Sequence, residues 1–191
     1  MKITTMQEKI LNAAENLIQT MGYNAFSYKD IAHAVGIKTS SIHYYYPAKE
    51  DLATAVIEWH LERVSVLLDE LNANNNLSLQ AKLLSLVDIV ISLTISNDLK
   101  MCLGGMLASD VISLPEKVKK KVCIFFDTLE RWIRETLSKE KKANSSWRNL
   151  YTVNDLAKYL IVQLEGGLLM TRLYKDFSYI ETVKNFIKIT L

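Results

Sequence analysis

Helix-breaking residues are scarce in this chain of 191 residues. Proline occurs only at Pro47 and Pro115, and there are six glycines in all, so long stretches can run as uninterrupted helix. Hairpin dipeptides between alternating apolar runs are missing, and so is any convincing period-2 segment, which argues against a sheet protein. Two cysteines, Cys102 and Cys123, are too few for a disulfide framework and fit a reducing interior. His33, His43 and His60 do not stand at metal-ligand spacing with either cysteine. A phosphate-binding glycine loop and a nucleophile-elbow motif are also lacking, so neither an enzyme nor a cofactor is indicated. The most apolar run, LLSLVDIVISLTI, is interrupted by Asp88 and flanked by Lys82, and is too short to span a bilayer. The N-terminal segment is amphipathic, carries Glu8 and Glu15, and lacks the apolar core of a signal peptide. A cytoplasmic chain with no membrane partner is expected. Arginine does not occur before Arg63, and the net charge of +2 points to no particular partner.

What is present is a globular core. Hydrophobic residues make up 49 % and charged residues 23 %, enough apolar surface to offset the entropy of ordering the chain. The expected fold class is all-α, with about nine helices. Ile10, Ala14, Leu17, Ile18 and Met21 place a first helix over residues 5–21, stopped by Gly22. Ser27 caps a short second helix, with Asp30 three residues on as a capping box, and Gly36 ends it. A third covers about 38–45. Pro47 opens a long fourth helix that starts with Glu50 and Asp51 and ends at the polar NANNN run. Further helices are expected over about 78–96, 101–112, 115–142, 153–175 and 179–191. KEKKANSS, residues 139–146, reads as a solvated loop.

The stretch DIAHAVGIKTSSIHYYYPAKEDL, residues 30–52, carries the functional signal. From Ala32, Gly36 follows at +4, Ile37 at +5, Ile42 at +10 and Tyr45 at +13. A small residue in the first helix, a glycine turn and apolar anchors in the second are the needs of a helix-turn-helix. On a wheel of about 100° per residue, Ile42, Tyr45 and Tyr46 cluster on one side. Ser40 and Tyr44 lie opposite, flanked by Ser41 and His43. Hydroxyls, an imidazole and a phenol can hydrogen-bond base edges or phosphates. Lys49, at a helix N-terminus, is expected to clamp a phosphate.

The segment from Ser27 to Leu52 resembles the DNA-binding domain of the TetR family of bacterial transcriptional regulators. The turn glycine, the polar residues, the aromatic cluster and the Tyr-Tyr-Pro-x-Lys ending carry the likeness, which covers roughly the first 60 residues. His43 stands where tyrosine is frequent, and Tyr46 replaces the usual phenylalanine. The resemblance implies a three-helix DNA-binding domain over 1–47 and a helical effector-binding and dimerisation domain over 48–191. It implies a ligand-responsive regulator, a repressor released from a palindromic operator by a small molecule. The candidate DNA contacts are Ser27, Tyr28, Lys38, Thr39, Ser40, Ser41, His43, Tyr44 and Lys49. Few lysines are available for phosphates, so a modest salt dependence is expected. The same low charge supports a second reading, a dimeric small-molecule binding or sensor protein with a degenerate DNA-binding segment.

Beyond residue 60 the resemblance implies architecture more than detail. The 153–175 segment is apolar on nearly every side, as expected of a helix buried by two surfaces, and a homodimer through the last two helices is implied. MCLGGMLASDVISLPEKV is similar to a pattern found in one subgroup of the family. Trp59, His60, Arg63, Met101, Cys102, Met106, Phe125, Phe126, Tyr159 and Gln163 are the candidate ligand contacts, for an apolar or aromatic effector. Trp132 and Glu165 are additional candidates, and plain core packing is the competing explanation for the apolar members. His60 and Arg63 fall inside the apolar stripe of the fourth helix, and His60 is expected either as a buried, hydrogen-bonded histidine or as a polar coupling point between the pocket and the DNA-binding segment. Cys102 is weighed as an oxidant or electrophile sensor.

Overall fold

The computed structural model describes residues 4–96, 98–139 and 146–191. Most of the solvated loop read at 139–146 lies outside the described residues. Those residues form nine α-helices and one turn of 3₁₀ helix at Ser146–Asn149, with no strand among them. The helices are α1 (Thr5–Met21), α2 (Tyr28–Val35), α3 (Thr39–Tyr45), α4 (Lys49–Ala73), α5 (Leu79–Leu93), α6 (Leu103–Ser109), α7 (Glu116–Ser138), α8 (Val153–Tyr174) and α9 (Ser178–Thr190). The largest departure from expectation is α6, shorter than the span read over 101–112, because the chain turns at Asp110–Ser113 through local hydrogen bonds instead of continuing the helix.

Packing divides the chain into two compact units. The N-terminal unit holds the chain up to Arg63 together with Leu103–Phe125, and the C-terminal unit holds Val64–Cys102 and Phe126–Leu191. The N-terminal unit is therefore larger than the segment 1–47 and draws in α6 and the start of α7. Its core is made by Ile10, Ala14 and Ile18 of α1, Ile31 of α2, Ile42 of α3, Leu52 and Val56 of α4, Leu107 of α6 and Val118 of α7, all completely buried.

Caps fix the ends of its helices. Thr4 and Gln7 form a capping box at α1, and Ser27 and Asp30 form one at α2. Gly22 and Gly36 terminate α1 and α2 at φ +87° and +74°, conformations that cost an L-residue with a Cβ. At Gly22 a Cβ would also lie 3.1 Å from Asp110 Oδ2, which already accepts the Tyr23 amide at 2.9 Å.

The C-terminal unit is built around α8. Its inner face, Leu156, Leu160, Leu164 and Leu168, is buried, and α9 packs along it. Gly167 lets the two helices close: a Cβ there would lie 3.0 Å from Ile180 Cδ1 and 3.4 Å from Ile180 Cα. The first turn of α9 has no side-chain cap of its own from Phe177. Thr171 of α8, fully buried, accepts the Ile180 amide at 3.2 Å instead. The Trp132 indole donates to the Leu68 carbonyl at 3.1 Å, tying α7 to the last part of α4. No helix among the described residues is long and apolar enough to cross a membrane.

Candidate nucleic-acid interface

α2 and α3 meet through the turn Gly36-Ile37-Lys38. The amides of Gly36 and Ile37 both donate to the Ala32 carbonyl, at 2.9 and 3.0 Å, so the end of α2 is closed by the turn itself. Ala32 is buried at the crossing, and Ile42 anchors α3 with no exposure. Tyr46, just past α3, is also buried. Its carbonyl accepts the Tyr28 hydroxyl at 2.8 Å, and the Tyr28 ring lies 4.7 Å from His43. Burial foremost, and then the nearby Asp51, drive the Tyr28 phenol well above its ordinary pKa, so it stays a neutral donor. Three contacts thus lock α3 onto α2 from behind.

The front of α3 is polar and uncommitted. Tyr44 is 82 % exposed, with its ring edge-on to Tyr45 at 5.1 Å. Ser40 and His43 are exposed, and Thr39 and Ser41 are half-buried. His43 Nδ1 lies 3.2 Å from the Pro47 carbonyl. A carbonyl only accepts, so Nδ1 carries the proton in this contact and Nε2 faces away from it. Lys38 is exposed at the N-cap of α3. Ser27 is occupied by its capping box, its amide and hydroxyl both donating to Asp30 Oδ2, at 2.7 and 2.8 Å.

Two candidate residues stand differently from the expectation. Tyr45 is half-buried, not core: with Met6, Ile37, Ser40, Ser41 and Tyr44 it lines an open concavity of about 490 Å³ between the start of α1 and α3. Lys49 is turned inward. Its ammonium donates to the Phe26 carbonyl and lies 4.1 Å from the Phe26 ring centre and 4.8 Å from that of Tyr23. Burial pulls its pKa down, against Asp30 and Asp110, which hold it up. A carbonyl and two aromatic faces satisfy this cation locally, so a phosphate is not what it faces in this state. The exposed lysines of the described helix-turn-helix segment are Lys9, Lys29 and Lys38.

Sequence reading missed Glu15, which ties α1 to α4. It is buried in α1 and accepts from His60 Nδ1 at 2.7 Å and, through both oxygens, from Arg63 Nη2 at 2.6 Å. Burial pushes the Glu15 pKa up. The His60 hydrogen bond and charge, with the Arg63 charge and hydrogen bond, outweigh that and hold it below its ordinary value. The signal was present: Glu15 sits between Leu11 and Ile18 on the apolar side of α1, where a carboxylate needs partners. His60 and Arg63 are thus brought together, α4 to α1. Asp51 and Glu58, on the exposed side of α4, are paired with Lys117 and Lys121 of α7 at 2.6 and 2.5 Å.

The candidate ligand contacts are split by the packing. Trp59, His60, Arg63, Met106 and Phe125 belong to the N-terminal unit, and Met101, Cys102, Phe126, Tyr159 and Gln163 to the C-terminal unit. In the first group, Arg63 stacks over Trp59 at 5.3 Å and His60 lies 5.8 Å from Phe125. In the second, Tyr159 joins an aromatic cluster, 4.8 Å from Phe186 and 5.8 Å from Tyr151. Cys102 is buried and hydrogen-bonds Glu165, whose carboxyl burial pushes up in pKa. A carboxyl neighbour is the reverse of the electropositive, accessible setting that activates thiols. A separate concavity of about 280 Å³ between α4 and α7, with Leu68, Asp69, Arg131, Trp132 and Glu135 in its wall, takes in none of these ten residues. No group of three or more histidines, cysteines and carboxylates suited to a metal ion occurs among the described residues.

Comparison with known proteins places this geometry. Residues 10–56 match the family described as bacterial regulatory proteins, tetR family. A TetR transcriptional regulator from Legionella pneumophila superposes with a TM-score of 0.92 at 43 % identity, covering 100 % of both chains. A TetR-family regulator from Agrobacterium tumefaciens shares the fold at 24 % identity, with a TM-score of 0.86 over 99 % of each chain. An HTH-type transcriptional regulator of Lactococcus lactis subsp. lactis is 26 % identical over 185 residues, 95 % of this chain and 91 % of that one. With α3 set on α2 across a glycine turn and the likeness running the whole length of the Legionella protein, this chain belongs to the TetR family of transcriptional regulators.

Proposed function

We propose that this regulator is a homodimeric, ligand-responsive repressor that α3 seats in the major groove of a palindromic operator. The observation that carries the reading is the front of α3, where exposed Ser40, His43 and Tyr44 stand on a helix whose back is locked by Ile42, Tyr46 and Tyr28. Lys38 and Lys29 are the phosphate contacts. Ser27 and Tyr28 act at one remove, by holding the start of α2. Lys49 supports Tyr23 and Phe26 and does not clamp a phosphate.

Dimerisation runs through α8 and α9. Val162, Leu169 and Leu173 are 65, 55 and 67 % exposed, and Ile189 of α9 is 84 % exposed. Gly166 has nothing within 4 Å of where a Cβ would be. An apolar stripe of this kind on long helices fits a second copy of itself. An effector of apolar or aromatic character acts by binding one orientation of α4 better than the other. That differential affinity sets the spacing of the two α3 helices.

The inward Lys49 favours one rival, a small-molecule sensor whose DNA-binding segment is degenerate, because it leaves few free cations. Fluorescence anisotropy of the full chain on its own upstream DNA, against a scrambled duplex at two salt concentrations, separates the two. Preferential, salt-sensitive binding of a dimer is the expected result. Equal weak binding to both duplexes selects the sensor.

A further inference from the structure

The concavity beside α3 has a chemistry that picks out one base. Its apolar wall is Met6, Ile37, Tyr44 and Tyr45, and its polar edge is Ser40 and Ser41. Tyr44 is exposed and its ring lies edge-on to Tyr45, so its apolar face is presented to solvent. The hydroxyls of Ser40 and Ser41 hold no hydrogen bond to another described residue.

The rest of the reading face narrows the choice. The α3 sequence TSSIHYY contains no arginine, asparagine or glutamine. The arginine, asparagine and glutamine contacts that read guanine or adenine bidentately are therefore not available from it, and the neighbouring lysine, Lys38, stands at the N-cap, where it is assigned to a phosphate. In the major groove, thymine alone sets a hydrogen-bond acceptor, O4, beside a methyl group. Cytosine offers a donor and no methyl, and guanine offers acceptors and no methyl. A serine hydroxyl can donate to or accept from any base edge, but an apolar wall beside it has a partner only in thymine, whose methyl lies next to O4.

We infer that the concavity of Met6, Ile37, Tyr44 and Tyr45 receives the 5-methyl group of a thymine in each operator half-site, with Ser40 or Ser41 donating to O4. Tyr44 is then a specificity residue that acts through its ring and not its hydroxyl. The inference rests on the proposed DNA binding.

The test begins with selection of duplexes from a randomised pool by the full chain. Each thymine of the enriched site is then replaced by deoxyuridine, which removes only the methyl group. One thymine per half-site should lose about fourfold in affinity, the worth of one buried methyl. Tyr44→Phe should keep that loss, and Tyr44→Ala should shrink it below about twofold. Since Tyr44 is 82 % exposed, neither change threatens the fold. An enriched site without thymine, a site indifferent to deoxyuridine at every thymine, or a methyl dependence that survives in Tyr44→Ala overturns the assignment. If no duplex is enriched, the DNA-binding reading falls and the assignment with it.

Discussion

The outward faces of α3 and α8 are both exposed, and they are opposites. On α3 the exposed side chains are Ser40, His43 and Tyr44; on α8 they include Val162, Leu169 and Leu173. A hydroxyl-rich face beside a lysine suits a wet, salt-sensitive partner. An aliphatic stripe suits a partner that excludes water, for which area and fit matter and salt does not. The supports differ as well. Behind α3 lies the Tyr28–Tyr46 hydrogen bond, and in the same unit a polar lock joins α1 to α4, where Glu15 holds buried His60 and half-buried Arg63. Behind α8 lies close apolar packing at Gly167, Ile180 and Val183. Exposure alone therefore does not say what a helix face is for; the chemistry in front and the fixings behind do.

The contrast can be broken most severely on α8. Leu169→Glu should weaken dimerisation at least about a hundredfold, because a carboxylate would be buried without a partner. Sedimentation equilibrium would read a monomer at micromolar concentration, with the helix content unchanged. A Leu169→Glu protein that stays dimeric would mean that α8 is not the face a second copy covers.

Next in size is the polar lock between α1 and α4. Glu15→Ala leaves buried His60 and Arg63 without their acceptor and should cost about 3 kcal/mol, measured as a shift of the urea midpoint with m unchanged. The pH dependence follows from the same group. Its folded pKa lies below the ordinary value of 4.5, so its contribution is complete above that value and is lost as pH falls through the folded pKa. Glu15→Gln should flatten this part of the acid limb.

Two adjacent glycines then sharpen the comparison on α8 itself. Gly167→Ala drives a Cβ to 3.0 Å from Ile180 Cδ1 and 3.4 Å from the Ile180 backbone and should cost about 1–3 kcal/mol in thermal stability. Gly166→Ala meets nothing within 4 Å and should gain up to about 1 kcal/mol of helix propensity in the folded chain. Any penalty at Gly166 should surface only in the dimer dissociation constant. The smallest effect belongs to α3. Lys38→Ala should lower the salt slope of operator binding by about two for a dimer, one per copy, while the thermal midpoint stays in place.

Much of this organisation is written in local signals. Gly22, Gly36, Ser27 with Asp30, and the i, i+4 spacing of Ile10, Ala14 and Ile18 place α1 and α2 directly, because caps and stripes are short-range. The wheel of α3 puts Ile42 and Tyr46 inside and Tyr44 outside, as found. It misses Tyr45, since a seven-residue helix is barely two turns long and Met6 of α1 decides what lies beside it. Lys49 and Glu15 escape for a related reason: their settings come from Phe26, and from His60 and Arg63, 23 to 48 residues away. The ten ligand candidates are the least legible group, because apolar periodicity marks burial and does not mark which unit a residue joins.

One feature of the N-terminal unit bears on how the chain is made. Tyr23 and Asn24 bond to Asp110 and Ser113, 87 and 89 residues downstream, and the unit includes Leu103–Phe125. During synthesis the reading head cannot complete its contacts until those residues have left the ribosome. At about 5–20 residues per second, that is a wait of several seconds after α3 has emerged. Through that interval the apolar back of α1 lacks α6, which packs against it in the finished unit. A message truncated after α4 yields a reading head without its keystone, so this regulator acquires DNA competence late in translation, when most of its C-terminal half is already on the way.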